Sequence, residues 1–338
     1  MILVAGGSGN LGRELVPHLR ALGHGVRVLT RDPIRGQQRL GDNPEFVLGD
    51  ARSPQSLEAA LSSVDAVISA MTGFGPGGRG PKAVDFEGNL NLIRAAEAAG
   101  VRRFVLLSMN GAAADHPMEL ARMKHRAEAA LRASRLDWVI VRPNAFMELW
   151  AEIVGGPIVK EGRATVFGRG DNPVNFVSTR DVARLIELAV LDPGLSRSIL
   201  AVGGPENLTF NQLVALIETA AGRRARVKHI PLPLMRVLSV VMRPFKPDLA
   251  GMIEAGIAFD TVDMTFDASE LRQRFPKIEL TRMADILGPP RAGSSMLTGR
   301  SRQVSQPAPD RLDRFPELTE GDGSALLQAR DVVRHGEV

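Results

Sequence analysis

The chain opens on a short apolar run, Ile2–Ala5, that passes into a glycine-rich turn and then into an amphipathic stretch over 10–22. An unbroken apolar run of this length reads as a central parallel strand covered on both faces, and the 3.6-residue spacing behind it as a helix packed back onto that strand. The alternation continues. Strands are expected at Val26–Thr30, 46–48, 65–70, 103–108 and 137–141, and helices at 54–61, 82–99 (ended by Gly100) and 117–134. Strands alternating with helices predict an α/β fold built on a doubly wound parallel sheet. Beyond Arg142 and Pro143 the pattern loosens, with a helix to 153, short strands at 165–167 and 175–177, a helix over 179–190, a strand at Ser198–Val202, and a capping box of Thr209 and Gln212 opening a helix that runs to Ala221. The organisation is a nucleotide-binding core over 1–143, a smaller substrate lobe over 144–287 interleaved with returning core elements, and a tail over 288–338. That tail has too few large apolar residues for a core and is expected to be disordered, with at most a short helix over 324–333.

The glycines at the first strand-to-helix corner carry the chemistry. Gly6 or Gly7 allows the tight turn, Gly9 lets backbone approach a pyrophosphate, and Gly12 permits close packing of the helix. A helix N-terminus at that corner offers unpaired N–H groups and a partial positive charge to phosphates. Gly7, Gly9 and Gly12 give one dinucleotide spacing, GxGxxG; Gly6, Gly9 and Gly12 give another, GxxGxxG. At the end of the second strand an acidic residue would meet the adenosine ribose, and a basic one a 2′-phosphate. Arg31 stands there with Arg35 four residues on, so NADP(H) is expected, with NAD(H) as the alternative. Asp32 is expected to start an Asp-Pro turn with Pro33.

Composition narrows the classes. The 338 residues are 44% hydrophobic, enough for one large domain with a smaller lobe, and the net charge of +4 is spread without a basic stripe, so no nucleic-acid partner is expected. With no Cys there is no disulfide framework and no Cys-based zinc site, and no metal is expected. Met1 practically begins the first strand, so the chain is expected to be cytoplasmic, as a monomer or homodimer. Two segments invite further readings. The glycine-rich loop 73–80 suits a lid or a surface insertion. The apolar helix over 231–245 is too short to span a bilayer; it is expected to cap the pocket, the alternative being docking on a protein or a membrane surface. Asp181 and Glu148 read as a helix-cap residue and a lobe contact, and His116 and His125 as surface or packing residues.

Taken together, Gly6, Gly9 and Gly12, Arg31-Asp32-Pro33, Gly49-Asp50, the stretch from Val84 to Asn89, Ala99-Gly100-Val101, Ser108, Lys124 with Glu128, and Val141-Arg142-Pro143-Asn144-Ala145-Phe146-Met147-Glu148 resemble the NmrA-like group of atypical short-chain dehydrogenase/reductases, over residues 1–287. The resemblance implies a Rossmann fold. It places Gly6, Gly9, Asn10, Leu11 and Gly12 along the pyrophosphate, Arg31 and Arg35 at the 2′-phosphate, Asp50 and Ala51 at the adenine, and Ser69, Ala70 and Met71 toward the nicotinamide ribose. Ser108 and Lys124 would be the catalytic positions, and Asn144, Phe146 and Met147 the substrate pocket.

One departure matters. Active short-chain dehydrogenases carry Tyr four residues before the Lys, whose charge lowers the phenol pKa for proton transfer. Here Leu120 occupies that position, and the chain has no Tyr. Two readings follow: a hydride-transferring reductase of a quinone-like or activated carbonyl or enone acceptor, or a non-catalytic NADP(H)-dependent sensor, regulator or assembly factor.

Overall fold

The computed structural model describes residues 1–289 except Asn43, Pro76 and Gly77; the expectations for 290–338 fall outside the described residues. In the core, β1 (Ile2–Ala5), α1 (Asn10–Ala21), β2 (Val26–Thr30), α2 (Pro33–Leu40), β3 (Glu45–Leu48), α3 (Glu58–Leu61) and β4 (Ala66–Ser69) follow in order. A wide π-type segment, Lys82–Gly88, runs into α4 (Asn89–Ala98), and then come β5 (Arg103–Leu107), α5 (Glu119–Ala133) and β6 (Asp137–Pro143). The lobe begins with β7 (Ala145–Phe146), α6 (Met147–Glu161), β8 (Arg163–Phe167) and β9 (Val174–Val177). Helix α7 (Thr179–Leu191) and strand β10 (Ser198–Val202) return to the core. The chain then builds β11 (Asn207–Leu208), α8 (Phe210–Ala221), β12 (Arg226–Ile230), α9 (Leu232–Met242), α10 (Pro247–Thr261), α11 (Ser269–Arg274) and α12 (Met283–Leu287).

Seven strands form one parallel sheet in the order β10-β6-β5-β4-β1-β2-β3, the doubly wound arrangement expected from the alternating pattern. The order reverses between β1 and β4. In such sheets ligands bind outside the C-terminal strand ends at that switch point. Side chains of β1 alternate between two apolar layers: Ile2 and Val4 pack with α1 and α7, while Leu3 and Ala5 pack with α4 and α5 residues such as Leu92 and Leu131. The lobe has its own apolar centre, in which Phe176, Phe210, Phe259 and Trp150 meet edge to face.

The structure departs from the sequence expectations at identifiable places. Asp32 opens a helix rather than a bare turn, its carboxylate accepting from the Arg35 N–H at 2.9 Å with Pro33 at the first helical position. Gly36 makes room for this short helix, since a Cβ there would lie 2.8 Å from the Phe46 ring. The stretch 54–61 is a 3₁₀ turn followed by a single α turn, and the lobe helix expected to end at 153 continues to Glu161. Helix α9 was expected to be buried as a cap, yet only Met235 and Ser239 are buried, and its outer apolar side chains face solvent. The capping box of Thr209 and Gln212 is present in full. Ser178 caps α7, and Glu148 supports that end by accepting from the Ser178 hydroxyl and from the Thr179 N–H at 3.0 Å, while Asp181, inside the first turn, accepts from the Thr281 N–H and hydroxyl.

Candidate cofactor and active site

The two glycine spacings left open by the sequence are separated by backbone geometry. Gly6 has φ +86°, and a Cβ there would lie 2.5 Å from the Ala70 carbonyl oxygen, so Gly6 is the turn residue. Gly12 is equally fixed, because a Cβ would sit 2.1 Å from the Gly7 carbonyl oxygen. Gly9 donates to the Gly6 carbonyl at 3.0 Å and serves as the N-cap of α1. It supplies no side-chain cap, and the first turn of α1 holds no acidic residue. The leading N–H groups at Asn10, Leu11 and Gly12 therefore stay available, with the helix dipole behind them, at the C-terminal end of β1. Leu11 directs its side chain into the core, and Asn10 accepts from Arg13 at 2.9 Å. The cradle fits a dinucleotide pyrophosphate.

Around it, Arg31 and Arg35 are exposed, with no hydrogen bond to either side chain among the described residues. Arg39, one helical turn beyond Arg35, donates to the Ser8 carbonyl at 3.2 Å and ties α2 to the glycine turn; its role was not read from the sequence. The spacing Arg35-x-x-x-Arg39 was the available signal. The Asp50 carboxylate is gripped by Arg52, at 2.6 Å from Nη2, and this hydrogen bonding holds its pKa below the usual carboxylate range. Ala51 is buried, its carbonyl accepting from Asn91. Ser69 is fully buried and donates to Asn89 Oδ1 at 2.6 Å, while Ala70 forms the wall opposite Gly6.

Lys124 lies at the tips of β4 and β5, almost wholly buried. Its ammonium faces the Met71 carbonyl at 2.9 Å, the Leu107 carbonyl at 2.9 Å and Asp85 Oδ1 at 3.0 Å. The other Asp85 oxygen accepts from the Gly73 N–H at 2.8 Å, at the start of the glycine-rich loop. The sequence carries no sign of this Asp85 pairing, although the family resemblance runs through Val84 to Asn89. Beside it, Ser108 is buried and its hydroxyl has no hydrogen-bond partner among the described residues. A buried hydroxyl without a partner carries a desolvation cost that a bound group would relieve.

The pocket residues separate. Asn144 joins core and lobe: its Oδ1 accepts from Asn110 at 3.1 Å, and its Nδ2 donates to Asn175 at 3.2 Å. Phe146 is half-buried beside the core, whereas Met147 is fully buried in the lobe's apolar centre and lines no open surface. A cleft of about 80 Å³ opens between Gly73, Phe74, Met118, Glu119 and Leu120 on one side and Asp248, Gly251 and Glu254 on the other. Leu120, where the resemblance would place a phenol, is thus on its wall. His116 sits at the start of α5 with Nδ1 accepting from the Met118 N–H at 3.1 Å, and burial pushes its pKa down. Among the described residues no group of His, Asp and Glu is placed to hold a metal, and no helix is long and apolar enough to cross a membrane.

Comparison with known proteins agrees with this geometry. A family model described as NAD(P)H-binding matches residues 6–193. The chain is 31% identical over 246 residues, 72% of its length and 75% of the relative's, to the photosystem II assembly factor Ycf39 of Synechocystis sp.. It is 30% identical over 232 residues, 69% of its length and 78% of the relative's, to an NAD(P)H azoreductase of Xenophilus azovorans. Its fold is similar to that of the Escherichia coli NADPH-dependent quinone oxidoreductase QOR2 in complex with NADPH, with a TM-score of 0.68 at 20% identity, covering 85% of this chain and 98% of the other. The chain belongs to the NAD(P)H-binding family that the matching family model describes.

Proposed function

We propose that this protein is an NADP(H)-dependent reductase whose acceptor is quinone-like or an activated carbonyl or enone, a class that takes a hydride without a strong protein acid. Two observations support the reading: an uncapped α1 N-terminus behind Gly6, whose turn meets the Ala70 carbonyl, and a cleft that includes Gly73, three residues beyond Ala70, with Leu120 on its wall. NADPH, when bound, supplies the hydride. The chain's own residues bind, orient and exclude. Asn10, Leu11 and Gly12 present backbone N–H groups to the pyrophosphate, and Arg31 with Arg35 supports a 2′-phosphate over a bare ribose. Ser108 offers its unpartnered hydroxyl to cofactor or substrate.

Lys124 holds the Met71 and Leu107 carbonyls, and with them the strand tips that frame the reacting end. Asp85 already balances its charge, so Lys124 acts by positioning these strand tips rather than by meeting the acceptor. With Leu120 in place of a phenol, an acceptor whose reduced form is already stabilised, and which draws its proton from solvent, loses least. Phe74, Met118 and Leu120 make one wall of the cleft apolar, which favours a flat aromatic group there over a charged one.

A second reading, an NADP(H)-dependent assembly or regulatory protein, is favoured by one observation: the Lys124 ammonium already faces three acceptors inside the protein. Similarity to a photosystem II assembly factor supports it too. Calorimetric titration with NADPH, NADH and NADP⁺, followed by NADPH oxidation with quinones, enones and unactivated ketones, decides. Binding with turnover on quinones or enones supports the reductase. Binding without turnover on any acceptor supports the second reading, and no binding contradicts both.

A further inference from the structure

Exposed apolar side chains are mostly scattered singly over this protein, but five of the thirteen large ones among the described residues lie between 234 and 245. Leu234, Val237, Val240 and Val241 are 42%, 60%, 72% and 54% exposed, and Phe245, just past α9, is 77% exposed. At 100° per residue Leu234, Val237, Val240 and Val241 fall on one face of the helix. The opposite face is satisfied, since Met235, Leu238 and Met242 pack on Leu249 and Ile253 of α10. The outer face has no partner among the described residues.

Charge identifies what suits that face. From Thr219 to Pro247 the chain carries seven Lys and Arg and no carboxylate. The basic edge strand β12 leads directly into α9, and Arg226, Lys228 and Arg236 are exposed with no ion-pair partner among the described residues. Of the carboxylates nearest this region, Glu218 and Glu254 are paired with Arg224 and Arg243 and Glu161 with Arg163 of β8, which leaves Asp248 at the start of α10 against the unpaired cations. An apolar helical face flanked by unpaired cations matches a surface that is anionic at headgroup level and apolar beneath it. The chain's own residues 290–338 do not complement it, because they balance seven cations against seven carboxylates.

We propose that α9 and β12 form a docking surface for an anionic lipid bilayer, with Leu234, Val237, Val240 and Phe245 entering the headgroup boundary and Arg226, Lys228 and Arg236 meeting lipid phosphates. The inference stands apart from the reductase reading. It carries one structural consequence: α10, which follows α9 directly, supplies Gly251 and Glu254 to the cleft, so docking sets that cleft beside the membrane.

The test is flotation of the full chain with phosphatidylcholine vesicles and with vesicles containing phosphatidylglycerol, at low and raised salt. The protein should float with the phosphatidylglycerol vesicles, less so at raised salt, and not with phosphatidylcholine alone. Val237→Asp/Val240→Asp, at sites exposed enough to leave folding unchanged, should lower the bound fraction at least about tenfold. Arg226→Glu/Lys228→Glu should do the same through charge, while Leu48→Asp, at an exposed apolar site elsewhere, should float like the wild type. Failure to float with anionic vesicles, whether or not the protein self-associates through this face, overturns the proposal. So does flotation unchanged in both double variants.

Discussion

The Lys124 ammonium lies 3.0 Å from the Asp85 carboxylate, and the two side chains are 5% and 0% exposed. The pair joins α5 to the π-type segment before α4, and through the Gly73 N–H and the Met71 and Leu107 carbonyls it also fixes the tips of β4 and β5. A buried ion pair is costly to break from one side, because the remaining charge is left without solvent or partner.

Asp85→Ala is therefore expected to destabilise the fold by about 3–5 kcal/mol, and Lys124→Met by a similar amount. The double variant Asp85→Leu/Lys124→Met should lose less than the two losses added together, since no charge is left buried. Urea unfolding of the three variants checks this. Additive losses would show that the two side chains act separately.

Gly6→Ala places a methyl group against the Ala70 carbonyl at a positive φ that L-residues rarely adopt. We expect NADPH affinity to fall about 5- to 150-fold, as a distortion of about 1–3 kcal/mol implies. Gly23→Ala is the control, as it shares a positive φ but meets nothing within 4 Å and lies away from the cradle. Calorimetry on both variants reads the difference.

Arg31→Ala and Arg35→Ala should each weaken NADPH binding about 10- to 150-fold while leaving NADH binding nearly unchanged, because a charge-assisted hydrogen bond to phosphate contributes about 1.5–3 kcal/mol. Equal losses for both nucleotides would mean that neither side chain reads the 2′-phosphate.

Burial pushes the His116 pKa below its ordinary value, with the nearby Arg122 charge adding to the effect. The unfolded chain then takes up the proton first. His116 should cost nothing above a pH of about 6.5, and stability should be lost progressively as pH falls from there through the lower folded-state pKa. Unfolding free energies measured from pH 8 downward should decline less in His116→Asn than in the wild type. Parallel pH curves would contradict this assignment.

What the sequence reveals here follows from how local each constraint is. The β1 turn was legible because Gly6, Gly9 and Gly12 act within one strand-turn-helix unit, and the sheet because its buried strands are short unbroken apolar runs. Helix α2 was hidden by its polarity and length, its start marked only by Asp32 and Pro33. The Asp85–Lys124 pair was hidden because it joins residues 39 positions apart through a π-type segment that periodicity does not signal. Apolar content identified α9 as a helix, but only tertiary packing determines which of its faces is covered. Met147 shows the same limit, since a motif locates the residue in the chain but not the direction of its side chain.

The central claim is that a hydride leaves this site although Leu120 stands in place of a phenol. The protein premixed with equimolar NADPH and then rapidly mixed with a soluble quinone tests it in a single turnover. The account predicts oxidation of the bound NADPH at a rate that rises with quinone and saturates. Bound NADPH that persists with quinone as long as it does without would contradict it.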